Sequence, residues 1–388
     1  MVKILDIFGE VLGDQCGKLP CYNTVENWVK KLGLSVYEQD RKASPGRKIA
    51  MVIDESIFIN KEKLLLLLGI PAEFPDHTIR HEDVTVLDMK VGSSFTGEDI
   101  REEIESTEQR IGTKAEYVIN DQGRNLLSGV SLSERPQHID ISHAMGSLMK
   151  RTYGKCTDFL ALTELLGDIR LKYNLTDKAY LLPPNMRALA RFMNMSFWVE
   201  WGISMLGCFP NLPQEMQEAY SFVPENRELF EELASCIQAI KFVEDLCKNN
   251  GFSITTCHIC KGYIVRHVIA NANPRKAMLG IRMLDYFDRE LAVLNEDKKR
   301  KDNISSDIIE STFGIYKGCK SPNKLCGITP LSLMIPLYPK LSNKSTTEMF
   351  NFKDRLVNVK LKDIYSWANQ NMSTNWVRER TKTLRNVS

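Results

Sequence analysis

The chain has 388 residues, with 26% charged and 43% hydrophobic side chains and a formal net charge of +2. That length suits two or three domains with sizeable cores in an ordinary globular protein. Bulk charge does not announce nucleic acid, and no apolar run approaches the roughly 18 residues of a membrane span, so no membrane partner is expected.

The start, "MVKILDIFGEVLGD", lacks a basic region followed by a long apolar one, which predicts no secretory leader. Ten scattered Cys then read as reduced thiols in a cytoplasm, nucleoid-associated in a bacterium.

Residues 1–37 read as helical. "ILDIFGEVLG" is a short apolar helix. After a turn, Val25, Trp28, Val29 and Leu32 recur at i, i+3, i+4 and i+7, one face of a second helix. Asn23 is placed to cap it and Gly33 to end it. This is the outline of a helix-turn-helix, whose second helix enters a major groove. Tyr22, Thr24, Asn27, Lys30 and Lys31 would then face DNA; a plain helical hairpin is the alternative. "KASPGRK" reads as a flexible linker, so residues 1–47 form a first region.

Residues 48–142 carry the clearest pattern. "KIAMVIDESIFI", "KLLLLLGIPA" and "VTVLDMKVGSS" read as three strands. "TGEDIREEIESTEQRIG" has a Thr cap, acidic first turns and a closing Gly, and reads as a helix. "AEYVIND" is a fourth strand, "QGRNLLSGVSL" a short helix or turn, and "QHIDIS" a fifth strand. The order β-β-β-α-β-α-β implies an antiparallel meander extended by parallel strands, a mixed five-stranded sheet of α/β (α+β) type.

Residues 143–303 are helical by 3.6-residue periodicity in five segments, ending in the polar run "NEDKKRKDN". Residues 304–330 open with a helix, "SSDIIESTFGIYKG", whose Ile308, Ile309, Phe313 and Ile315 read as its buried side. Residues 331–388 are basic: from Leu341 onward nine Lys/Arg stand against four Asp/Glu.

Two acids close apolar strands: Asp54 follows "IAMVI" and Asp121 follows "EYVIN". In this strand order the first and fourth strands are central neighbours, so the two carboxylates should lie side by side. Adjacent carboxylates repel unless a cation sits between them. Hard oxygen ligands suit Mg²⁺ or Mn²⁺. Two such ions about 4 Å apart clamp both oxygens of an in-line phosphoryl transfer. Glu310 is the candidate for a third carboxylate. Lys317, seven residues on and on the same helix face, could meet a phosphate. Taken singly, each Asp could be a turn former and Glu310 an exposed helix residue.

These residues resemble a DDE transposase of the retroviral-integrase, ribonuclease-H-like superfamily. "VIDES" resembles the strand of the first Asp, "VINDQGRNL" that of the second, and "NISSDIIESTFGIYKG" the helix of the third acid. The spacing of Glu310 and Lys317 is that of the Y-R-E-K signature of one large group of insertion-sequence transposases; where that signature has Tyr and Arg, this chain has Asn303 and Ser306. The resemblance covers about residues 48–142 and 304–330, and more loosely the helix-turn-helix.

It implies a ribonuclease-H-like core with a large all-α insertion before the third acid. It also implies Asp54, Asp121 and Glu310 as ligands of two Mg²⁺ or Mn²⁺ ions. The activity implied is cutting of transposon ends and their joining to target DNA. The partners implied are double-stranded DNA and further copies of the chain, as a homodimer or higher homo-oligomer. Insertions of this kind shape the DNA channel, which makes Arg187, Arg191, Trp198 and Trp201 candidates for DNA contact, with a core role for both Trp residues as the alternative. A ribonuclease-H-like nuclease or resolvase, and a transposase-derived DNA-binding protein that no longer cuts, are the competing functions.

Smaller signals remain. Asp140 is the rival for the second acid, and His143 could cap the following helix or touch DNA. Glu55 should point to the opposite face from Asp54. Cys257 and Cys260 with His267 form a zinc half-site or buried thiols.

Overall fold

The computed structural model describes residues 19–42, 48–57, 62–185, 195–294, 300–319, 327–342, 344–348, 350–372 and 383–385. In chain order its main elements are helix α1 (Tyr22–Asp40), strands β1 (Ile49–Ile57), β2 (Lys63–Pro71) and β3 (Thr85–Gly92), helix α2 (Gly97–Ile111), strand β4 (Val118–Asn120), helix α3 (Arg124–Leu132) and strand β5 (Gln137–Ile139). Helices α4 (Ile141–Tyr153), α5 (Thr157–Tyr173), α6 (Met195–Cys208), α7 (Arg227–Asn250), α8 (Ile254–Ile264) and α9 (Pro274–Val293) follow, then α10 (Asp307–Cys319) and α11 (Leu361–Asn371). The fold is α+β with a five-stranded mixed sheet ordered β3-β2-β1-β4-β5.

The chain divides into two compact units. One comprises residues 1–75, 79–137 and 306–388; the other comprises 76–78 and 138–305. In the first, β1 pairs antiparallel with β2 from Ile49↔Pro71 to Ile57↔Lys63, and β2 antiparallel with β3. β1 pairs parallel with β4. β2 is buried almost end to end, as a central strand covered on both faces must be.

Alternate residues of these strands go to different cores. Met51, Ile53, Leu65, Leu67 and Val118 pack with Ile100 and Ile104 of α2 and Leu126 and Val130 of α3. Ala50, Val52, Leu66, Leu68 and Ile119 pack instead with Leu34 of α1, Ile309 and Phe313 of α10 and Trp367 of α11. Helix α2 forms where the pattern predicts it. Thr96 Oγ1 accepts the Asp99 N–H at 3.2 Å, and Gly112 ends the helix in the left-handed region at φ 73°.

α1 corrects the expected helix boundaries. Its N-cap is Cys21, not Asn23, and it runs through Gly33 to Asp40. A Cβ on Gly33 would sit 1.7 Å from the Leu333 carbonyl oxygen, so this glycine admits close backbone packing rather than a helix end. Only the C-terminal half of α1 is buried, through Leu32, Leu34, Val36 and Tyr37; Trp28, expected on the buried face, is exposed. The carboxylate of Asp88, buried on β3, accepts the Tyr37 hydroxyl and hydrogen bonds from Arg41 at 3.2 Å and Arg110 at 2.6 Å. Two guanidinium groups offset the cost of burying that charge and tie α1 and α2 to the outermost strand.

The second unit is helical around one core that takes in Tyr153, Phe159, Phe230, Phe252 and Phe287. Its two ends meet: the Ile141 N–H donates to the Ile304 carbonyl at 3.0 Å, and Phe252 and Asp302 form an antiparallel bridge. His138 is fully buried there. Its Nδ1 lies 2.7 Å from Glu290 Oε2 and its Nε2 lies 2.9 Å from Asp302 Oδ2.

Candidate functional site

The parallel pairing of β1 with β4 matches Met51 to Val118 and Val52 to Ile119. The same offset, carried two residues further along each strand, sets Asp54 level with Asp121. Asp54 is still within β1, opposite Leu66 of β2; Asp121 directly follows β4. By the alternation of side chains, Asp54 follows Ala50 and Val52, and Asp121 follows Tyr117 and Ile119, onto the face that α10 covers. Glu55 falls on the opposite face, as its position predicts, and its carboxylate pairs with Lys63.

Both acids are half-buried and are held alike. Asp54 Oδ1 accepts the backbone N–H of Glu55 at 2.7 Å, and Asp121 Oδ1 accepts that of Gly123 at 2.7 Å. Two hard carboxylate oxygen donors on neighbouring strands fit a divalent cation such as Mg²⁺ or Mn²⁺ in chemistry.

α10 packs on β1. It buries Ile308, Ile309, Thr312, Phe313 and Tyr316. Ile315, expected on that side, is exposed, and Tyr316 takes the place. Glu310, in the first turn, and Lys317 are both exposed, with the Lys317 ammonium 6.0 Å from the centre of the Phe313 ring. Among the described residues no group of three or more His, Cys, Asp or Glu stands close enough to hold a metal ion. The strand register therefore sets Asp54 level with Asp121, and the structure does not gather Glu310 into one cluster with them.

Three residues near this helix and pair escaped the sequence reading. Ser311, beside Glu310, has its hydroxyl 3.2 Å from Nε2 of His81, whose pKa burial holds below the usual imidazole value. Glu62, buried just before β2, accepts the Ile328 N–H at 2.5 Å.

The DNA-contact candidates divide. Tyr22 is exposed at the start of α1; Thr24, Asn27, Lys30 and Lys31 are half-buried along it, and Lys30 is ion-paired with Glu26. The helix expected before α1 lies outside the described residues, as do Arg187 and Arg191. Trp198 is corrected to a core residue. It is 1% exposed, with its ring 6.0 Å from Phe159 and 6.1 Å from Phe230, so no base can stack on it. Trp201 is partly buried and donates from Nε1 to the Leu181 carbonyl at 3.0 Å.

Asp140, the rival for the second acid, lies at the start of a helix. It is fully buried as the N-cap of α4 and accepts the His143 N–H at 2.7 Å. Cys257 and Cys260 are buried thiols. Cys260 Sγ lies 3.9 Å from Cys247 Sγ, and Cys257 donates to the Phe287 carbonyl, while His267 stacks on Tyr263. Burial pushes the Cys257 thiol up to about 12. No described helix is long and apolar enough to cross a membrane.

A scan against protein-family models finds no match. A search of the curated proteins likewise finds no relative.

Proposed function

We propose that this chain is a DNA-cutting and DNA-joining enzyme, a transposase of the DDE type, with a ribonuclease-H-like core and Asp54, Asp121 and Glu310 as its acids. One observation carries the reading: the register of the parallel β1–β4 pair sets Asp54, within β1, level with Asp121, just past the end of β4, on the sheet face covered by the helix that bears Glu310 and Lys317. Helices α2 and α3 occupy the other face and leave that side to the acids.

Asp54 and Asp121 would hold Mg²⁺ or Mn²⁺, with Glu310 completing the set when DNA draws its helix and the pair together. The bound ions would supply activation of the attacking oxygen and stabilisation of charge on the phosphate. The chain's own part is positioning. Backbone amides fix the two Asp carboxylates, Lys317 offers a point charge to a phosphate beside the scissile bond, and the exposed half of α1 presents Tyr22, Asn27 and Lys31 to double-stranded DNA. Cutting and joining both ends of a mobile element calls for at least two copies of the chain on DNA.

The test is Mg²⁺-dependent nicking and strand transfer on the DNA flanking the gene. Asp54→Ala, Asp121→Asn and Glu310→Gln should each abolish both reactions and leave DNA binding in place. Full activity in Asp121→Asn sinks the reading. Nicking without strand transfer in the wild type moves the chain to the nuclease class, and DNA binding without either reaction makes it a binding protein only.

A further inference from the structure

We infer that Gly123 is a positioning residue, which keeps open the space that the Asp121 carboxylate occupies. The inference rests on Asp121 being a metal ligand, as proposed above. Gly123 stands at the N-cap of α3 with φ −59° and ψ 127°, angles that any residue adopts, so the backbone does not call for glycine. The N-cap favours Ser, Thr, Asp or Asn, whose side chains satisfy the first free N–H groups of a helix. Here no side chain caps the helix.

What excludes a side chain is the acid itself. A Cβ on Gly123 would sit 2.8 Å from Asp121 Oδ1, while its next neighbour, Leu126 Cδ1, lies at an ordinary 3.5 Å. The same Oδ1 accepts the Gly123 N–H at 2.7 Å. Glycine thus donates a hydrogen bond to the carboxylate and leaves it room, two things no other residue does at once in this place.

The kind of obstacle decides where the cost falls. It is the end of a short side chain, not backbone, so a substituted protein relieves the contact by rotating Asp121. The fold survives and the ligand turns away. A serine separates the two effects most cleanly, because its hydroxyl caps α3 and supports the fold while its Cβ displaces the carboxylate.

The experiment measures Mn²⁺ binding to the full chain by electron paramagnetic resonance, beside thermal unfolding, for wild type, Gly123→Ala, Gly123→Ser and Asp121→Asn. Both Gly123 variants should weaken Mn²⁺ binding by about ten- to a hundredfold with an unfolding midpoint no lower than that of the wild type, and Asp121→Asn should weaken it at least as much. Wild-type affinity in both Gly123 variants, with Asp121→Asn weakened, overturns this inference alone. Wild-type affinity in Asp121→Asn overturns the metal-site reading and this inference with it. A Gly123→Ser protein that fails to fold also overturns it, since the glycine would then serve the backbone.

Discussion

Asp54 and Asp121 stand level across the β1–β4 pair, two residues beyond the last matched partners, Val52 and Ile119. Asp140, the competing acid, caps α4 through Oδ1. Asp121→Asn should therefore abolish Mg²⁺-dependent nicking with stability nearly unchanged. Asp140→Ala should keep nicking and lose about 1 kcal/mol or more of stability, the usual cost of a lost N-cap. Nicking rates and urea unfolding of the two variants together check the assignment.

Lys317→Ala should slow cleavage by about a hundredfold, the order seen when one group aimed at developing charge is removed. Lys317→Arg should recover part of the rate, since it keeps the charge and changes the shape. A solvated lysine would instead change stability by under about 0.5 kcal/mol and leave activity alone. Single-turnover rates separate the two outcomes.

His138 should make the helical unit sensitive to base. Burial alone would lower its pKa, but the hydrogen bonds and charges of Asp302 and Glu290 more than reverse this and leave it raised. Asp302 is itself held by Arg300 at 2.8 Å. With a carboxylate on each ring nitrogen, the imidazolium is the form that satisfies both. A raised folded pKa stabilises the protein fully below the unfolded value of about 6.5, and that contribution fades as pH rises through the folded value. Unfolding free energy followed from about pH 6 to pH 9 should fall in the wild type. His138→Gln should lose about 3 kcal/mol at the acid end and show a flatter profile.

Gly33→Ala and Gly167→Ala should act in opposite directions. Alanine is the better helix former by about 1 kcal/mol, and at Gly167 a Cβ would meet nothing within 4 Å, so stability should rise by roughly that amount. At Gly33 the Cβ would run into the Leu333 backbone. The helix would have to move, and overpacking of about 1–3 kcal/mol or more outweighs the propensity gain. Thermal unfolding of both variants reads the sign directly.

Lys31→Ala should weaken DNA binding at all sequences and flatten its salt dependence, because a phosphate contact releases counterions. Asn27→Ala should instead reduce discrimination between sequences. Binding isotherms at several salt concentrations distinguish these, and unchanged isotherms would remove α1 from the DNA interface.

Strands β1 to β3 were legible because each is a long apolar run bounded by polar turns, and α2 because Thr96 and Gly112 mark its ends. β4 and β5 are three residues each, shorter than their apolar segments suggest, and Asp140 passed from the fifth strand to a helix cap. Gly33 misled because a glycine that ends a helix and one that admits a neighbouring backbone look alike until Leu333, three hundred residues away, is in view. Trp198 sits on a helix that is apolar nearly all round, so periodicity could not tell its buried side. The acid pair was legible because strand order alone places Asp54 beside Asp121. Gly123 had a signal that went unused: glycine two residues after a strand-ending Asp. His138 had none, since Glu290 and Asp302 lie 152 and 164 residues further along the chain.

The sheet face that carries Asp54 is completed by Ile309, Phe313, Leu333 and Trp367, all encoded after the helical unit. On the ribosome, residues 138–305 must emerge first, which at roughly 5–20 residues per second takes on the order of ten seconds. The helical unit closes its core from its own residues and can fold as soon as it is made. The leucine-rich β2 must wait, with one side covered by α2 and α3 and the other by α1 alone. A chain released early, near residue 305, would keep that side incompletely covered, and chaperones would meet it as an aggregation-prone nascent protein.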